Sequence, residues 1–208
     1  MLTIALPKGR IAEDTLALIG KIFNQEFKFD NRKLILESEQ FRFLNVRSQD
    51  VPTYVEHGAA DLGVVGLDVI TEKELDILDL LDLQIGKCKV AIGIKAGDKL
   101  DWSRPDIKIA TKMVNITKNY FASRAVGVEI IKLYGSIELA PLVGLCDAIV
   151  DIVETGATMR ENGLVVAEDI MDSSVHLVAN KNSFFEKKSE ILDLYSKLQE
   201  VVQEDAKQ

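Results

Sequence analysis

The segment Asp147–Thr158 constrains the fold most, because it has the pattern of a strand that turns directly into a helix. An apolar run that carries acids at Asp147 and Asp151 ends at Glu154, and Thr-Gly-Ala-Thr then leads into residues typical of a helix from Met159. Such a turn leaves backbone N–H groups unpaired and pointing outward, a geometry that binds phosphate. The segment therefore predicts an α/β unit with an anion-binding turn, although Thr-Gly-x-Thr also occurs in ordinary turns.

The side chains of this turn indicate which anion it suits. Thr155 and Thr158 add hydroxyl donors, and Gly156 permits a close approach of the backbone. Asp151 and Glu154 are poor phosphate ligands, but they are good acceptors for sugar hydroxyls and can serve as outer ligands of Mg²⁺. A phosphate, a sugar diol and a metal ion together indicate a phosphoribosyl group. The alternative is that the aspartates of the segment cap strands or line a solvated edge.

Composition excludes several classes of protein. The 208 residues are 47% hydrophobic, enough for one large domain or two small ones, and the net charge of -8 argues against general affinity for nucleic acid. Cys88 and Cys146 do not have the spacing of metal ligands. No basic residue precedes the first apolar run, which is unlike a signal peptide, and no apolar run is long enough to span a membrane. We therefore expect a cytoplasmic protein.

Apolar periodicity predicts alternating strands and helices along most of the chain. The predicted strands are Thr3–Leu6, Lys33–Glu37, Phe41–Arg47, Asp61–Gly66, Ile107–Thr111, Val128–Leu133, Asp147–Val153 and Val175–Ala179. The predicted helices are Ile11–Phe23, a short one from Asp50 to near Gly58, Val69–Glu72, Ile116–Arg124, Glu138–Val143 and a last helix capped by Asn182 or Ser183. This alternation predicts an α/β class with mostly parallel sheets.

A second candidate anion site, Pro7-Lys8-Gly9-Arg10, falls between the first predicted strand and the first predicted helix. Open amides at a helix N-terminus and two cations repeat the phosphate-binding pattern. A solvated basic turn is the alternative, and it would be favoured for an isolated Lys-Gly-Arg. Because the chain is acidic and a second turn also suits phosphate, the two turns together indicate a substrate that is phosphorylated at both ends.

A third candidate site lies between Arg47 and Asp68, which both sit at the carboxyl ends of predicted strands. Ligands of open α/β sheets bind at the carboxyl ends of strands. Asp68 could accept a hydrogen bond from a sugar or a base amine, and it could also cap the helix that follows.

With these segments the chain resembles ATP phosphoribosyltransferase, the enzyme that opens histidine biosynthesis. The resemblance is carried in chain order by Ala5–Arg10, Asp50–Val55, Gly58–Gly63, Ile109–Lys112 and Gly135–Thr158, and it covers nearly the whole chain. Because the chain ends soon after its last helix, it resembles the short form of the catalytic subunit, without the histidine-binding domain of the long form.

The resemblance implies a two-lobed α/β fold like that of the type-II periplasmic binding proteins, with the active site in the cleft between the lobes. It implies that residues 1–90 plus 173–208 form lobe I and that residues 91–172 form lobe II, which carries the phosphoribosyl pyrophosphate loop.

The resemblance also implies roles for individual residues. Phosphoribosyl pyrophosphate would be bound by Lys8, Gly9, Asp151, Glu154, Thr155, Gly156, Ala157 and Thr158. The catalytic residues would be Arg10 and Arg32, which stabilise the departing pyrophosphate, Arg32 across the interface of a homodimer. ATP would be bound by Arg47, Asp68, Lys112 and Tyr120. Lys118 stands where many members carry arginine, which puts a bidentate contact there in doubt.

The implied reaction joins N1 of ATP to the anomeric carbon of the donor and releases pyrophosphate. Mg²⁺ would be held mainly by the substrate phosphates, with no direct protein ligand. N1 carries a usable lone pair, so no strong base is needed, and neither His57 nor His176 has a catalytic setting.

Regulation would come from a second subunit that resembles histidyl-tRNA synthetase, in a hetero-oligomer. One candidate docking surface is the apolar face of the last helix, with Phe184, Phe185, Ile191, Leu194 and Leu198. The alternative is that this face packs on its own lobe.

Two other functions remain in competition. One is a binding module with the same two-lobed fold, which the absence of a signal peptide and of a helix-turn-helix segment disfavours. The other is a phosphoribosyltransferase for a different base. Members of that class usually carry two adjacent acids before the Thr-Gly-x-Thr turn, whereas Asp151 and Glu154 are separated by two apolar residues.

Overall fold

A computed structural model describes residues 1–30 and 32–205, and these divide into two compact units. The first unit contains Met1–Ile70, Glu74–Gly86 and the chain from Ser174 onward, and the second contains Thr71–Lys73 and Lys87–Ser173. Compared with the predicted lobes, residues 71–73, 87–90 and 173 fall in the second unit. Each unit is built around its own sheet and is described separately.

The strands, in chain order, are β1 (Leu2–Pro7), β2 (Ile35–Glu37), β3 (Phe41–Val46), β4 (Leu62–Gly66), β5 (Leu78–Asp82), β6 (Cys88–Lys95), β7 (Lys108–Thr111), β8 (Glu129–Lys132), β9 (Ala148–Val153), β10 (Leu164–Ser173) and β11 (Val175–Ala179). The helices are α1 (Arg10–Phe23), α2 (Val51–Glu56), α3 (Leu67–Lys73), α4 (Val114–Ser123), α5 (Leu139–Leu142), α6 (Ala157–Glu161), α7 (Lys181–Glu186) and α8 (Lys188–Asp205). Within residues 1–30 and 32–205, every helix falls short of the length or the apolar content that a membrane-crossing helix requires.

The sheet of the first unit has the strand order β2-β3-β1-β4-β11-β5. β1 is parallel to both β3 and β4, and the remaining pairs are antiparallel. Buried side chains of α1 and α8, such as Leu16 and Leu194, pack on one face of the sheet, and Val51 and Val55 of α2 pack on the other. Because β1, β3 and β4 are parallel, their carboxyl ends meet at one edge, called here the first-unit edge.

The sheet of the second unit has the strand order β10-β6-β9-β7-β8. β7 is parallel to β8 and β9, whereas β6 is antiparallel to β9 and β10. Helix α4 covers one face through Ile116 and Phe121, and α5 and α6 cover the other through Ala140 and Met159. The carboxyl ends of β7 and β9 meet at what we call the second-unit edge, where Lys112 and Glu154 follow.

Both sheets are mixed, so the prediction of mostly parallel sheets was wrong. Parallel pairs lie inside each sheet, and antiparallel strands flank them. The prediction failed because strand–helix alternation identifies the crossovers of parallel pairs, but it carries no information on strands that arrive from distant parts of the chain. β11 is one of these: it comes from the end of the chain and inserts between β4 and β5.

The last predicted helix is two helices in the structure, α7 and α8. Neither Asn182 nor Ser183 is the cap of α7; instead, Asn180 caps it, and the Asn180 side-chain oxygen accepts a hydrogen bond from the Ser183 amide at 2.9 Å. The Asn180 side-chain amide also donates to the carbonyl oxygen of Val55 at 2.8 Å. The same residue therefore caps α7 and satisfies the end of α2, a tertiary role that a local capping pattern does not encode.

Candidate functional site

The first-unit edge brings together three of the predicted residues. Lys8, Arg47 and Asp68 follow β1, β3 and β4, which lie side by side and parallel in the sheet. The Lys8 amide donates to the carbonyl oxygen of Val46 at 2.8 Å, which joins the basic turn to the end of β3. Lys8 and Arg47 are exposed, so two cations are available to an anion at this edge.

Gly9 turns the chain from β1 into α1. Its φ of 101° lies in the left-handed region, and a Cβ added there would meet nothing within 4 Å. The glycine is therefore required by the backbone conformation and not by crowding. It places the exposed Arg10 in the first turn of α1, where unpaired N–H groups favour an anion.

Arg32 lies at the same edge. It precedes β2, which pairs antiparallel with β3, so β2 begins where β3 ends. The Asn45 amide donates to the carbonyl oxygen of Leu34 at 2.8 Å, which fixes this arrangement. Arg32 itself is exposed. Its placement suits a residue that reaches a ligand or a neighbouring subunit. Arg32 adds a third cation, beside Lys8 and Arg47, to the first-unit edge.

Asp68 is 5% exposed and lies in the first turn of α3, whose N-cap position is Gly66. Asp68 is therefore not the cap residue that the sequence offered as an alternative. Its carboxylate folds back over Gly66, where an added Cβ would lie 2.3 Å from Oδ1. Gly66 therefore leaves room for this carboxylate.

The predicted phosphate loop lies at the second-unit edge. Asp151 is near the end of β9 and is 9% exposed, whereas Glu154 and Thr155 are exposed residues. Gly156 is the N-cap of α6, and its φ of 72° again requires the left-handed region. The loop lines a cavity of about 270 Å³ together with Glu138. The exposed hydroxyls of Thr155 and Thr158 suit a phosphate, and the Thr155 hydroxyl also accepts a hydrogen bond from the Ala157 amide at 3.3 Å.

Lys112 lies against this loop. Its ammonium is 3.1 Å from Oδ1 of Asp151, and the same Oδ1 accepts a hydrogen bond from the Ile152 amide at 2.8 Å. Thr111 and Val150 pair across β7 and β9, so the two strands hold Lys112 and Asp151 side by side. Of the residues predicted to bind ATP, Lys112 is therefore the one that contacts the loop predicted to bind phosphoribosyl pyrophosphate.

Tyr120 lies elsewhere in the second unit. It packs on the face that α4 covers, whereas α6 of the phosphate loop packs on the opposite face of the sheet. There it lines a cavity of about 400 Å³ with Trp102 and Phe121, and the guanidinium of Arg124 lies 4.3 Å from the centre of its ring. Burial raises the pKa of Tyr120 to about 12, and the carboxylate of Glu168 adds to the rise. The structure thus does not bring Tyr120 together with Lys112 or the loop.

Two residues near the loop were missed from the sequence. Arg160 donates to the carbonyl oxygen of Thr155 at 3.0 Å, and Glu138 lines the loop cavity. The position of Arg160, four residues after the glycine at which α6 starts, was a usable signal because i and i+4 share a helix face. Glu138 had no such signal, since it comes from a separate segment before α5.

The described residues contain no group of three or more His, Cys, Asp or Glu side chains arranged to hold a metal ion. Asp151 and Glu154 are the carboxylates of the loop, and one of them already has an ammonium partner. Two carboxylates fit the outer shell of a Mg²⁺ ion whose direct ligands come from phosphate oxygens and water.

Comparison with known proteins identifies the family. A family model described as ATP phosphoribosyltransferase matches residues 47–200 of the chain. An ATP phosphoribosyltransferase from Sulfurovum sp. (strain NBC37-1) is 77% identical over 203 residues, which are 98% of each chain. The chain belongs to the ATP phosphoribosyltransferase family. It is therefore a transferase of histidine biosynthesis, as the sequence predicted.

Other members and solved structures agree with the assignment to the ATP phosphoribosyltransferase family. The ATP phosphoribosyltransferase of Campylobacter fetus is 66% identical over 202 residues, 97% of this chain and 100% of its own. The ATP phosphoribosyl transferase (HisG:HisZ) complex from Thermotoga maritima matches with a TM-score of 0.85 at 35% identity, over 98% of this chain and 100% of that one. The length of about 208 residues fits the short form.

The predicted fold is confirmed as well. The periplasmic aliphatic sulphonate binding protein SsuA from Escherichia coli matches with a TM-score of 0.64 at 13% identity, over 97% of this chain and 68% of that one. At that identity the match shows the fold alone. The chain thus shares the α/β fold of this periplasmic binding protein.

Proposed function

We propose that the chain transfers the phosphoribosyl group of phosphoribosyl pyrophosphate to N1 of ATP and releases pyrophosphate. The observation that carries the proposal is the loop from Asp151 to Thr158. Thr155 and Thr158, with exposed hydroxyls, line one cavity together with Gly156, which lies in the left-handed region. The buried Asp151 carboxylate precedes them on β9. The 5′-phosphate would bind the loop amides and the Thr155 and Thr158 hydroxyls, and Asp151 and Glu154 would accept from the ribose hydroxyls.

The chemistry follows from where charge develops. The bond from N1 to the anomeric carbon forms as the bond from that carbon to the pyrophosphate oxygen breaks, so both electrons of the broken bond leave with pyrophosphate. The ribose passes through an oxocarbenium-like transition state, and negative charge grows on the leaving group. The cations Lys8, Arg10 and Arg32 at the first-unit edge have the chemistry to stabilise that charge. Because N1 attacks with its own lone pair, the reaction requires no strong base.

In this proposal Mg²⁺ enters as a complex with the donor. Its ligands would come mainly from the substrate phosphates, and Asp151 and Glu154 would lie near its outer shell. When bound it neutralises charge on the departing pyrophosphate.

The nucleotide would use Arg47 and Asp68, both at the first-unit edge. Arg47 offers a cation to the triphosphate, and Asp68 an acceptor for a ribose hydroxyl or the adenine amine. Lys112 and Tyr120 complete the set that the resemblance assigned to ATP. In the structure, however, Lys112 is paired with Asp151. Tyr120 lies on the face of its sheet opposite to the phosphate loop.

We further propose that the chain forms a homodimer and assembles with a regulatory subunit. The Thermotoga maritima protein that matches over the whole of its length is itself part of a HisG:HisZ complex. The candidate docking face on the last helix is largely used internally, because Ile191, Leu194 and Leu198 are at most 1% exposed in the core of the first unit. Phe185, at 79% exposed, is the member of that set that remains open to a partner.

The decisive experiment incubates the purified chain with phosphoribosyl pyrophosphate, ATP and Mg²⁺ and measures the N1-ribosylated adduct by mass spectrometry. We expect one adduct and one equivalent of pyrophosphate. Parallel reactions with free adenine, guanine, orotate and nicotinate test the rival class of phosphoribosyltransferases. Formation of a base adduct without an ATP adduct would overturn the proposal in favour of that class, and binding of a solute without any transfer would favour a binding module.

A further inference from the structure

The ion pair between Lys112 and Asp151 is placed by the backbone and not by chance contact of flexible side chains. Thr111, which precedes Lys112, is fully buried, and its hydroxyl donates to the carbonyl oxygen of Val150 at 2.7 Å. Val150 in turn precedes Asp151. The same hydroxyl accepts a hydrogen bond from the Met113 amide at 2.9 Å. The residues on both sides of Lys112 are therefore anchored beside the end of β9.

The environment of Asp151 explains why a cation is needed there. A carboxylate that is 9% exposed loses most of its hydration, and this costs free energy unless a charged or hydrogen-bonding partner replaces the water. The Ile152 amide and the Lys112 ammonium supply that replacement, and both do so at Oδ1. In the inference below, Oδ2 is the oxygen with which Asp151 accepts from a ligand.

The side chain of Lys112 remains 35% exposed, so the ammonium is not sealed in the core. It has three donors, and the contact with Asp151 uses one. The others are available to anionic oxygens at the second-unit edge, next to the loop that suits the donor's phosphate.

We propose that Lys112 is a positioning residue for the phosphoribosyl donor and not a contact of ATP. Lys112 holds the Asp151 carboxylate in one orientation, so that it accepts from the ribose hydroxyls of the donor. This inference rests on the proposed function and changes it at one point, since the resemblance alone assigned Lys112 to ATP.

The test compares Lys112→Met, Lys112→Arg and the control Lys108→Met. Lys108 is the first residue of β7, the strand that Lys112 follows, and it pairs with Glu129 at 3.8 Å. Its replacement therefore also removes one lysine and one ion pair from this part of the sheet. For Lys112→Met we expect KM for phosphoribosyl pyrophosphate to rise about tenfold, the loss expected for one charge-assisted contact, with KM for ATP within twofold of wild type. Lys112→Arg should restore most of the loss, and Lys108→Met should resemble wild type.

A double-mutant cycle with Asp151→Asn checks that Lys112 acts through Asp151. In the Asp151→Asn background, Lys112→Met should add little to the rise in KM, because the carboxylate that it positions is already gone. Fully multiplicative effects would overturn the positioning role. A rise in KM for ATP alone, or a lowered melting temperature with both KM values unchanged, would also overturn it.

Direct binding separates this inference from the proposed function. Calorimetric titration of phosphoribosyl pyrophosphate with Mg²⁺ into each variant, without ATP, should show the same order of affinities as the KM values. If wild type binds the donor but forms no ATP adduct, the proposed acceptor is wrong. The inference about Lys112 is then tested by the donor affinities alone. If Lys112→Met does not fold, Lys112→Gln, which keeps a hydrogen-bond donor without the charge, is titrated in its place. Equal donor affinity of either folded variant and wild type would refute the inference.

Discussion

The guanidinium of Arg160 donates to the carbonyl oxygen of Thr155 at 3.0 Å, and it also lies 2.8 Å from where a Cβ on Gly156 would be. The side chain therefore closes one side of the phosphate loop and ties its first residues to α6. α6 has only five residues, so it contributes little rigidity of its own. We therefore expect Arg160 to help order the loop.

Replacing Arg160 by alanine should weaken binding of the phosphoribosyl donor. Loss of one hydrogen bond from a charged group, about 1.5 to 3 kcal/mol at most, corresponds to a rise of about tenfold in KM for phosphoribosyl pyrophosphate. KM for ATP should change little. Glu161→Ala, an exposed change at the next position of α6, serves as the control. Unchanged donor KM in Arg160→Ala would show that the loop holds its shape without this contact.

Gly156→Val should abolish measurable donor binding in a protein that still folds. Valine is strained at a φ of 72°, its Cβ would meet Arg160, and its branches would fill the phosphate position. Gly163→Val is a matched control, because its φ of 69° imposes the same backbone strain and no atom lies within 4 Å of the added Cβ. Circular dichroism checks the fold and calorimetry the affinity. Normal donor affinity in folded Gly156→Val would make the loop purely structural.

Arg10→Ala and Arg32→Ala should each lower kcat more than they raise KM. Both side chains are proposed to act on charge that exists only in the transition state, and loss of one such donor costs on the order of 10²-fold in rate. If Arg32 acts across a dimer interface, mixing the two inactive proteins should restore part of the activity through hybrid dimers. An Arg32→Ala protein with wild-type kcat would remove Arg32 from the catalytic assignment.

Asp61 and Lys187 form a partly buried ion pair that should make stability depend on pH. Burial raises the pKa of Asp61, but hydrogen bonds from Lys187 and from the Thr3 amide outweigh it, so that this pKa lies below its ordinary value. A carboxylate whose pKa is lowered by folding stabilises the protein above its unfolded pKa of about 3.9, and this contribution is lost as pH falls through the folded value.

Urea unfolding measures this contribution. At pH 7 we expect Lys187→Met to lower the free energy of unfolding by about 2 kcal/mol, because it leaves a buried carboxylate without its cation. Lys33→Met, which removes an exposed pair with Asp30, should cost less than about 0.5 kcal/mol. The difference between wild type and Asp61→Asn should shrink as pH falls below about 4. A difference that does not change between pH 7 and pH 3 would contradict the linkage.

Histidine should inhibit the chain only in the presence of a regulatory partner. Coupling between two sites requires that the effector bind one of them, and in the proposal histidine binds the partner and acts through the interface. Titration of histidine into the isolated chain should show little specific binding, whereas the reconstituted complex should show saturable inhibition. Tight histidine inhibition of the isolated chain would refute this scheme.

Local patterns were sufficient for much of the fold. Helix α1 was predicted within one residue, because Leu16 and Ile19 repeat at helical spacing, and β11 was predicted at its observed bounds. β10 was missed, although it has ten residues. Register shifts between Val166 and Glu168 and between Asp169 and Met171 interrupt its alternation, so that the period of two that marks a strand is absent from its sequence.

Local sequence patterns also predicted only part of the candidate site. The turn around Gly156 was recognised from sequence because its chemistry is local. The pairing of Lys112 with Asp151 was not recognised, because the two residues are 39 positions apart in the chain. They meet only where β7 pairs with β9. For Tyr120 the sequence was misleading. The family resemblance implied that it binds ATP, whereas its position on α4 directs it into an aromatic cavity on the other face of the sheet.

The position of β11 has a consequence for the nascent chain. β11 separates β4 from β5 in the first-unit sheet, yet the ribosome makes it more than ninety residues after β5. All of the second unit has been synthesised by then, so that unit can fold while the first still lacks an inner strand. During this interval the edges of β4 and β5 that later pair with β11 are open to other chains, which is a recognised route to aggregation. The protein is therefore most in need of a chaperone in the short time before its last thirty-five residues emerge.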